Sequence, residues 1–305
     1  MRTKKLLKLY LKNMKPNTKR SNETTLRIWE AFMKSRGITY STATTQHALE
    51  FHDYLTSRVG INGSKAANGT VHSRIKNLKK IYQALLSERK VKANIFHTPL
   101  IKLKHPRSNM KRRTQSITPE QVDLILKYKP TSIKERQAVC LIATMYAGGL
   151  RVSEALGLKL DDVRHSDKGT LYVNLRDTKN NTDVNQPLAP WCFKFLSKQI
   201  SQRSLDNQGE DLFISYRKNG RLLRTSIDLK TAYRHTKKLL LEFGLTKHSN
   251  QSLRKSSINV LLEQGIPLPE TQGFSRHKSV QALQMYFNEY NNLENSLAPK
   301  IVLAR

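Results

Sequence analysis

Residues 139–158 read VCLIATMYAGGLRVSEALGL. The apolar run Val139–Met145 closes a helix expected over about 132–147. Gly148 and Gly149 make a small-residue turn, and Arg151 behind them starts a helix carrying Glu154, read over about 153–158. That succession gives the second half of the chain its mostly helical character. Upstream, Thr118 is a helix cap and Pro119 fits the first helical position of a helix over 119–128. Downstream, residues 171–176 alternate as a strand, a turn around Lys179 reverses the chain, and 184–188 return as its partner. Further helices are expected at about 190–203, 226–243, 253–264 and 278–287. The class is mostly α with a small β-sheet.

The first half reads as a helical domain. Ser21 or Asn22 can cap a helix whose apolar positions Leu26, Trp29, Phe32 and Met33 have three-to-four spacing, ending at Gly37. A second helix runs over about 45–58, with Ala48, Phe51 (or His52) and Leu55 on one face. A turn-rich break follows at 60–69, then a long helix over about 68–89 with Ile75, Leu78, Tyr82, Leu85 and Leu86 facing a core. Lys76, Lys79 and Lys80 lie on its flank. Residues 1–20 carry eight Lys or Arg and no acid. They read either as a short helix lined by Leu6, Leu7, Tyr10 and Leu11 or as a basic arm ordered by a phosphate backbone. The expected organisation is a basic arm (1–20), a helical domain (21–98), a basic linker (99–117), a second domain (118–290) and a tail (291–305).

Charge narrows the function. The 305 residues hold 54 Lys plus Arg against 23 Asp plus Glu, a formal net charge of +31. Such a field attracts a polyanion, and binding through it weakens with salt. The charge is uneven: residues 1–117 hold 26 basic and 5 acidic side chains, residues 118–305 hold 28 and 18. The linker cluster Lys111, Arg112 and Arg113, with Lys76, Lys79 and Lys80, is expected to meet phosphates. No apolar run approaches the roughly 18 residues of a membrane span. Cys140 and Cys192 make no disulfide scaffold, and a reducing cytoplasm fits them. There is no glycine-rich nucleotide loop, and the histidines lack zinc-like spacing with the cysteines. No cofactor is implied.

Chemistry-bearing residues sit at structural punctuation points. Arg151 follows the glycine turn, Lys179 occupies a hairpin tip, Arg254 begins a strongly periodic helix, and His277 precedes a helix bearing Tyr286. Two arginines, a lysine, a histidine and a phenol would suit phosphoryl transfer if they converged. Individually each has an ordinary explanation: a solvated cation, a charged turn, a packed ring.

Three blocks together are more specific. YAGGLRVSEALGL from Tyr146, QSLRKSSINVLLEQG from Gln251 and HKSVQALQMY from His277 resemble, in this order, the motifs of the tyrosine recombinase (phage integrase-like) family. The resemblance implies Arg151 and Arg254 as the two catalytic arginines, Glu154 as their support, Lys179 as the hairpin lysine, His277 as the last histidine and Tyr286 as the nucleophile. It places Gln251 where relatives carry a histidine; glutamine can hydrogen-bond a phosphate but cannot shuttle a proton near neutrality. His248 lies nearby but off the motif. Arg276 stands where a glycine usually precedes the histidine.

The resemblance further implies a helical core-binding domain and an α+β catalytic domain closing around DNA as a clamp. The implied reaction is site-specific strand exchange through a 3′-phosphotyrosine and a Holliday junction, without metal or ATP. The implied partners are double-stranded DNA carrying a recombination site, four protomers on two duplexes and an accessory directionality factor. The apolar tail positions Leu293, Leu297, Ile301, Val302 and Leu303 are expected to dock on a neighbouring protomer or on their own domain. A mobile-element integrase is the favoured role. Dimer resolution, an inactive DNA-binding relative, a telomere resolvase and a type IB topoisomerase are the alternatives weighed.

Overall fold

A computed structural model of the chain describes residues 3–59, 63–103, 115–176, 183–206, 209–217, 222–277, 279–281 and 283. Lys111, Arg112, Arg113, Lys179, Tyr286 and the tail after it lie outside the described residues. The chain divides into two compact units, Met1–Arg113 and Thr114–Arg305.

The first unit is built from α1 (Thr3–Lys12), α2 (Pro16–Ser35), α3 (Thr45–Ser57) and α4 (Asn68–Ser87). Its core is aromatic. Trp29 is fully buried, with Phe51 edge-on at 4.8 Å, Phe96 at 5.2 Å and Phe32 stacked at 5.5 Å between ring centroids. Deleting such a ring costs about 3–5 kcal/mol. Leu26, Met33, Ala48, Leu55, Ile75, Leu78, Tyr82 and Leu85 are buried as their spacing requires, with Leu86 partly so.

One expectation for this unit is corrected. Ser21 and Asn22 do not cap α2: the helix starts five residues earlier at Pro16, whose fixed φ suits the first turn. Asn22 is buried inside the helix and donates its amide to the Thr18 carbonyl at 2.8 Å. Of the two readings of the basic N-terminal residues, the short helix is the one seen over their described length. Leu7 and Leu11 of α1 are buried in the core while the lysines face outward.

The second unit packs around α6 (Ile133–Ala147), in which every residue from Gln137 to Met145 is buried. A helix segment buried on all sides belongs at the centre of a domain. Around it lie α5 (Pro119–Lys127), α7 (Val152–Leu156), α8 (Phe193–Asp206), α9 (Leu229–Glu242), α10 (Asn250–Glu263) and α11 (Leu268–Ser275). Thr118 caps α5 as expected, accepting from the Gln121 amide at 3.3 Å. Cys140 and Cys192 are free and buried, and burial pushes both thiols up, that of Cys192 to about 12.

The expected hairpin is present as β2 (Leu171–Leu175) and β3 (Val184–Pro187), antiparallel with Val173 opposite Gln186. A further strand, β1 (Val163–His165), joins β2 to complete a three-stranded sheet. A separate two-stranded sheet, β4 (Ile214–Tyr216) with β5 (Leu222–Ser226), was not foreseen. Its first strand is tied to α6 by the buried Gln137 amide, which donates to the Ile214 carbonyl and accepts from its N–H. The helix expected from 226 therefore starts later, at Leu229. Its cap is Asp228, whose carboxylate accepts from the Lys230 and Thr231 amides. Helix α11 was also unforeseen. Among the described residues, no helix is long and apolar enough to cross a membrane.

Candidate active site

The glycine turn is sterically required. Gly148 ends α6, and a Cβ on it would lie 2.4 Å from Leu188 Cδ2. Gly149 has φ +57°, and a Cβ there would stand 2.9 Å from the Phe274 ring. The turn delivers Arg151 to the N-cap of α7, where its backbone N–H donates to Glu154 Oε2 at 2.8 Å and its Nη1 to Oε1 at 2.6 Å. Arg151 and Glu154 therefore hold each other, with the arginine side chain 30% exposed and the carboxylate 7% exposed.

Arg254 reaches the same place from α10. Its Nη1 donates to the Gly149 carbonyl at 2.5 Å and lies 3.9 Å from Glu154 Oε2, while its Nη2 donates to the Ser275 carbonyl. The side chain is only 1% exposed, so Arg254 forms the wall of the site and Arg151 its open side. Gln251, one turn earlier on α10, is exposed, and the three-residue spacing sets it beside Arg254. His248 does not take the missing histidine's place, because its Nε2 is engaged with the Ser116 carbonyl at 3.0 Å.

His277 follows the end of α11. Its Nδ1 pairs with Ser275 Oγ at 2.7 Å, and its carbonyl accepts from the Gln272 amide at 2.9 Å. Burial, and then the charges of Arg254, Arg151 and Arg276, push its imidazole down to about 4. The ring is therefore neutral at neutral pH. Glu154 experiences the opposite balance. Burial alone would raise its carboxyl, but the Arg276 charge and the hydrogen bonds and charge of Arg151 outweigh it and leave Glu154 below the usual range.

The sequence reading marked Arg276 only as a departure. In the fold its Nη2 donates to Glu154 Oε2 at 2.6 Å and its Nη1 to Gln186 Oε1, while the Gln186 amide donates to the Phe274 carbonyl at 3.2 Å. Arg276 and Gln186 are the residues missed. The glycine-like position before His277 was the available signal, but its partner Glu154 is 122 residues away.

Leu283 is fully buried against Ile258 and Leu262 of α10. In the first unit, Lys76, Lys79 and Lys80 are exposed and line a groove of about 580 Å³ with His72, Gln83 and Asn94. Arg20 of α2 and Arg74 of α4 line a second, more polar groove with Thr24 and Ser73.

Two family profiles match. Residues 115–292 match the phage integrase family and residues 3–104 the phage integrase SAM-like domain. The chain is 30% identical over 297 residues to tyrosine recombinase XerC of Halalkalibacterium halodurans, covering 91% of this chain and 89% of that protein. Among solved structures, the XerH site-specific recombinase bound to palindromic difH substrate superposes with a TM-score of 0.71 at 18% identity, covering 93% of this chain and 80% of that one. The Tn1549 transposon integrase in complex with circular-intermediate DNA gives 0.68 at 16%, covering 99% and 100%. These structural likenesses show the two-part, mostly helical fold with its small antiparallel sheet.

Proposed function

The chain belongs to the tyrosine recombinase, or phage integrase, family of site-specific DNA strand-exchange enzymes, and from that premise we propose that Tyr286 is its nucleophile. Arg151, Arg254 and His277 hold the non-bridging oxygens of the scissile phosphate, Gln251 assists, and Lys179 protonates the leaving oxygen. The observation that carries this reading is the convergence of three distant segments on one carboxylate. Arg151, Arg254 and Arg276 all lie within 3.9 Å of Glu154, with His277 next in the chain.

The chemistry follows from the charges. Tyr286 Oη attacks phosphorus as its proton passes to water, since an unperturbed phenol titrates near 10. The bond from phosphorus to the 5′-oxygen breaks, and that oxygen takes a proton from Lys179. The products are a 3′-phosphotyrosine and a free 5′-hydroxyl. Arginines fixed in place before the reaction stabilise charge developing on the phosphoryl oxygens. Neutral His277 contributes a hydrogen bond rather than a further full charge. A 5′-hydroxyl from the partner duplex then attacks the phosphotyrosine and releases Tyr286, conserving the bond energy.

Four protomers on two duplexes pass through a Holliday junction on this reading, linked by the tail 291–305 and assisted by an accessory directionality factor. Lys76, Lys79, Lys80, Lys111, Arg112 and Arg113 supply phosphate contacts, and the groove of Arg20 and Arg74 adds to them. The enzyme works in the cytoplasm on nucleoid DNA. Integration or excision of a mobile element is the favoured role. Dimer resolution is the second reading, supported by the similarity to XerC. The test is covalent capture on a nicked suicide substrate: Tyr286→Phe must abolish the adduct while retaining DNA binding, and Tyr290→Phe must retain both. An adduct that persists in Tyr286→Phe refutes the assignment.

A further inference from the structure

Two non-glycine residues among those described have positive φ, Arg89 at 51° and Arg276 at 54°. Arg89 is exposed at the end of α4, where its side chain reaches water. Arg276 combines the same left-handed backbone with a side chain only 10% exposed, and its Nε is buried without a hydrogen-bond partner. Both features oppose folding. Glycine would remove both. What glycine could not supply is the pair of bonds to Glu154 Oε2 and Gln186 Oε1.

We infer that Arg276 is a positioning residue for strand exchange, locking the Glu154–Arg151 pair and the corner that carries His277. The inference rests on the reading of Arg151 and His277 as phosphate-holding groups. Glu154 Oε2 accepts from the Arg151 backbone and from Arg276, and lies 3.9 Å from Arg254 Nη1, which donates to the Gly149 carbonyl. Without Arg276, the carboxylate is free to turn onto Arg254 and engage the guanidinium needed by the phosphate. Charge points the same way. Arg151, Arg254 and Glu154 together are net +1, and Arg276 makes the cluster +2. Gln186 completes the lock, since it is buried on β3 and also donates to the Phe274 carbonyl in the helix leading to His277. Arg276 thus ties the sheet, the glycine-turn helix and the histidine corner together through one side chain.

The charges acting on His277 come from Arg254 of α10, Arg151 at the start of α7 and Arg276 beside it, while Ser275 Oγ pairs with its Nδ1 and Gln272 donates to its carbonyl. Arg276→Gly therefore has two separable readouts. At saturating protein, the single-turnover cleavage rate should fall on the order of tenfold to a hundredfold with DNA affinity nearly unchanged, since small misplacements at a reacting centre are this costly. In the DNA-free protein, the His277 imidazole resonance should titrate at higher pH, because one nearby cation is gone. Arg276→Lys keeps the charge but cannot bridge Glu154 and Gln186 together, so it should recover the titration more than the rate. It also serves if the glycine variant fails to fold. Wild-type cleavage by Arg276→Gly with an unmoved His277 titration overturns the inference, as does a variant that loses only thermal stability. If the wild type itself forms no adduct on its DNA site, the recombinase reading fails, and the resonance shift alone decides the role of Arg276.

Discussion

Replacing Gly149 by alanine tests the turn on which the site is built. Its φ of +57° puts any Cβ in left-handed backbone, and the added atom would meet the Phe274 ring at 2.9 Å, inside normal contact. The backbone term is about 1–2 kcal/mol and the overpacking term about 1–3 kcal/mol. The expected loss is therefore about 2–5 kcal/mol. Gly265 isolates the first term, because it has φ +77° with nothing within 4 Å of a built Cβ. Gly265→Ala should cost about 1–2 kcal/mol, and the unfolded-chain entropy change common to both substitutions cancels in their difference. Hydrogen exchange of α6 and α10 peptides through a urea series reads the second unit separately from the first. Gly149→Ala should also slow cleavage more than Gly265→Ala, since the Gly149 carbonyl accepts from Arg254 at 2.5 Å. Equal destabilisation by the two substitutions would refute the steric argument.

Further outcomes are expected. Between about pH 4 and 6.5 the unfolded chain holds a proton on His277 that the folded protein lacks, so stability should rise with pH across that window, and His277→Asn should flatten the rise. Glu154, held below the usual carboxylate range, gives stability that is present at neutral pH and lost on further acidification, a trend that survives His277→Asn. Changing Lys111, Arg112 and Arg113 to alanine should weaken specific and random DNA binding alike and reduce the log–log salt slope by up to about 3; an unchanged slope removes the cluster from the interface. Deleting residues 292–305 should spare single-site binding more than recombination, and full synapsis by the truncated protein would exclude the tail as connector.

Much of this architecture could be read from the residues because burial imposes periodicity. The aromatic core of the first unit follows from the spacing of Trp29, Phe32, Phe51 and Tyr82, and the turn at Gly148 and Gly149 from the end of the apolar run Val139–Met145. The β4–β5 sheet gave no such signal, since its first strand is three residues long and is held by Gln137 from a distant helix. The start of α2 was misplaced because Ser21 and Asn22 have capping chemistry, yet Pro16 sets the first turn. Arg151, Glu154 and Arg254 stand out from the sequence blocks that carry them, and the fold brings both guanidinium groups within 3.9 Å of the Glu154 carboxylate. Arg276 was not legible as a participant, because its partners Glu154 and Gln186 are distant in sequence and only folding brings them within hydrogen-bonding range.

The central claim is that DNA becomes covalently linked to one particular tyrosine. Tyr286 and Tyr290 are one helical turn apart in spacing, so loss of activity in a variant is less direct than locating the bond itself. The measurement is mass mapping of the peptide trapped when the wild-type protein cleaves a nicked suicide substrate carrying its authentic site. A single adduct on Tyr286 through a 3′ phosphate is expected. DNA attached to Tyr290, or a 5′ linkage, would contradict it.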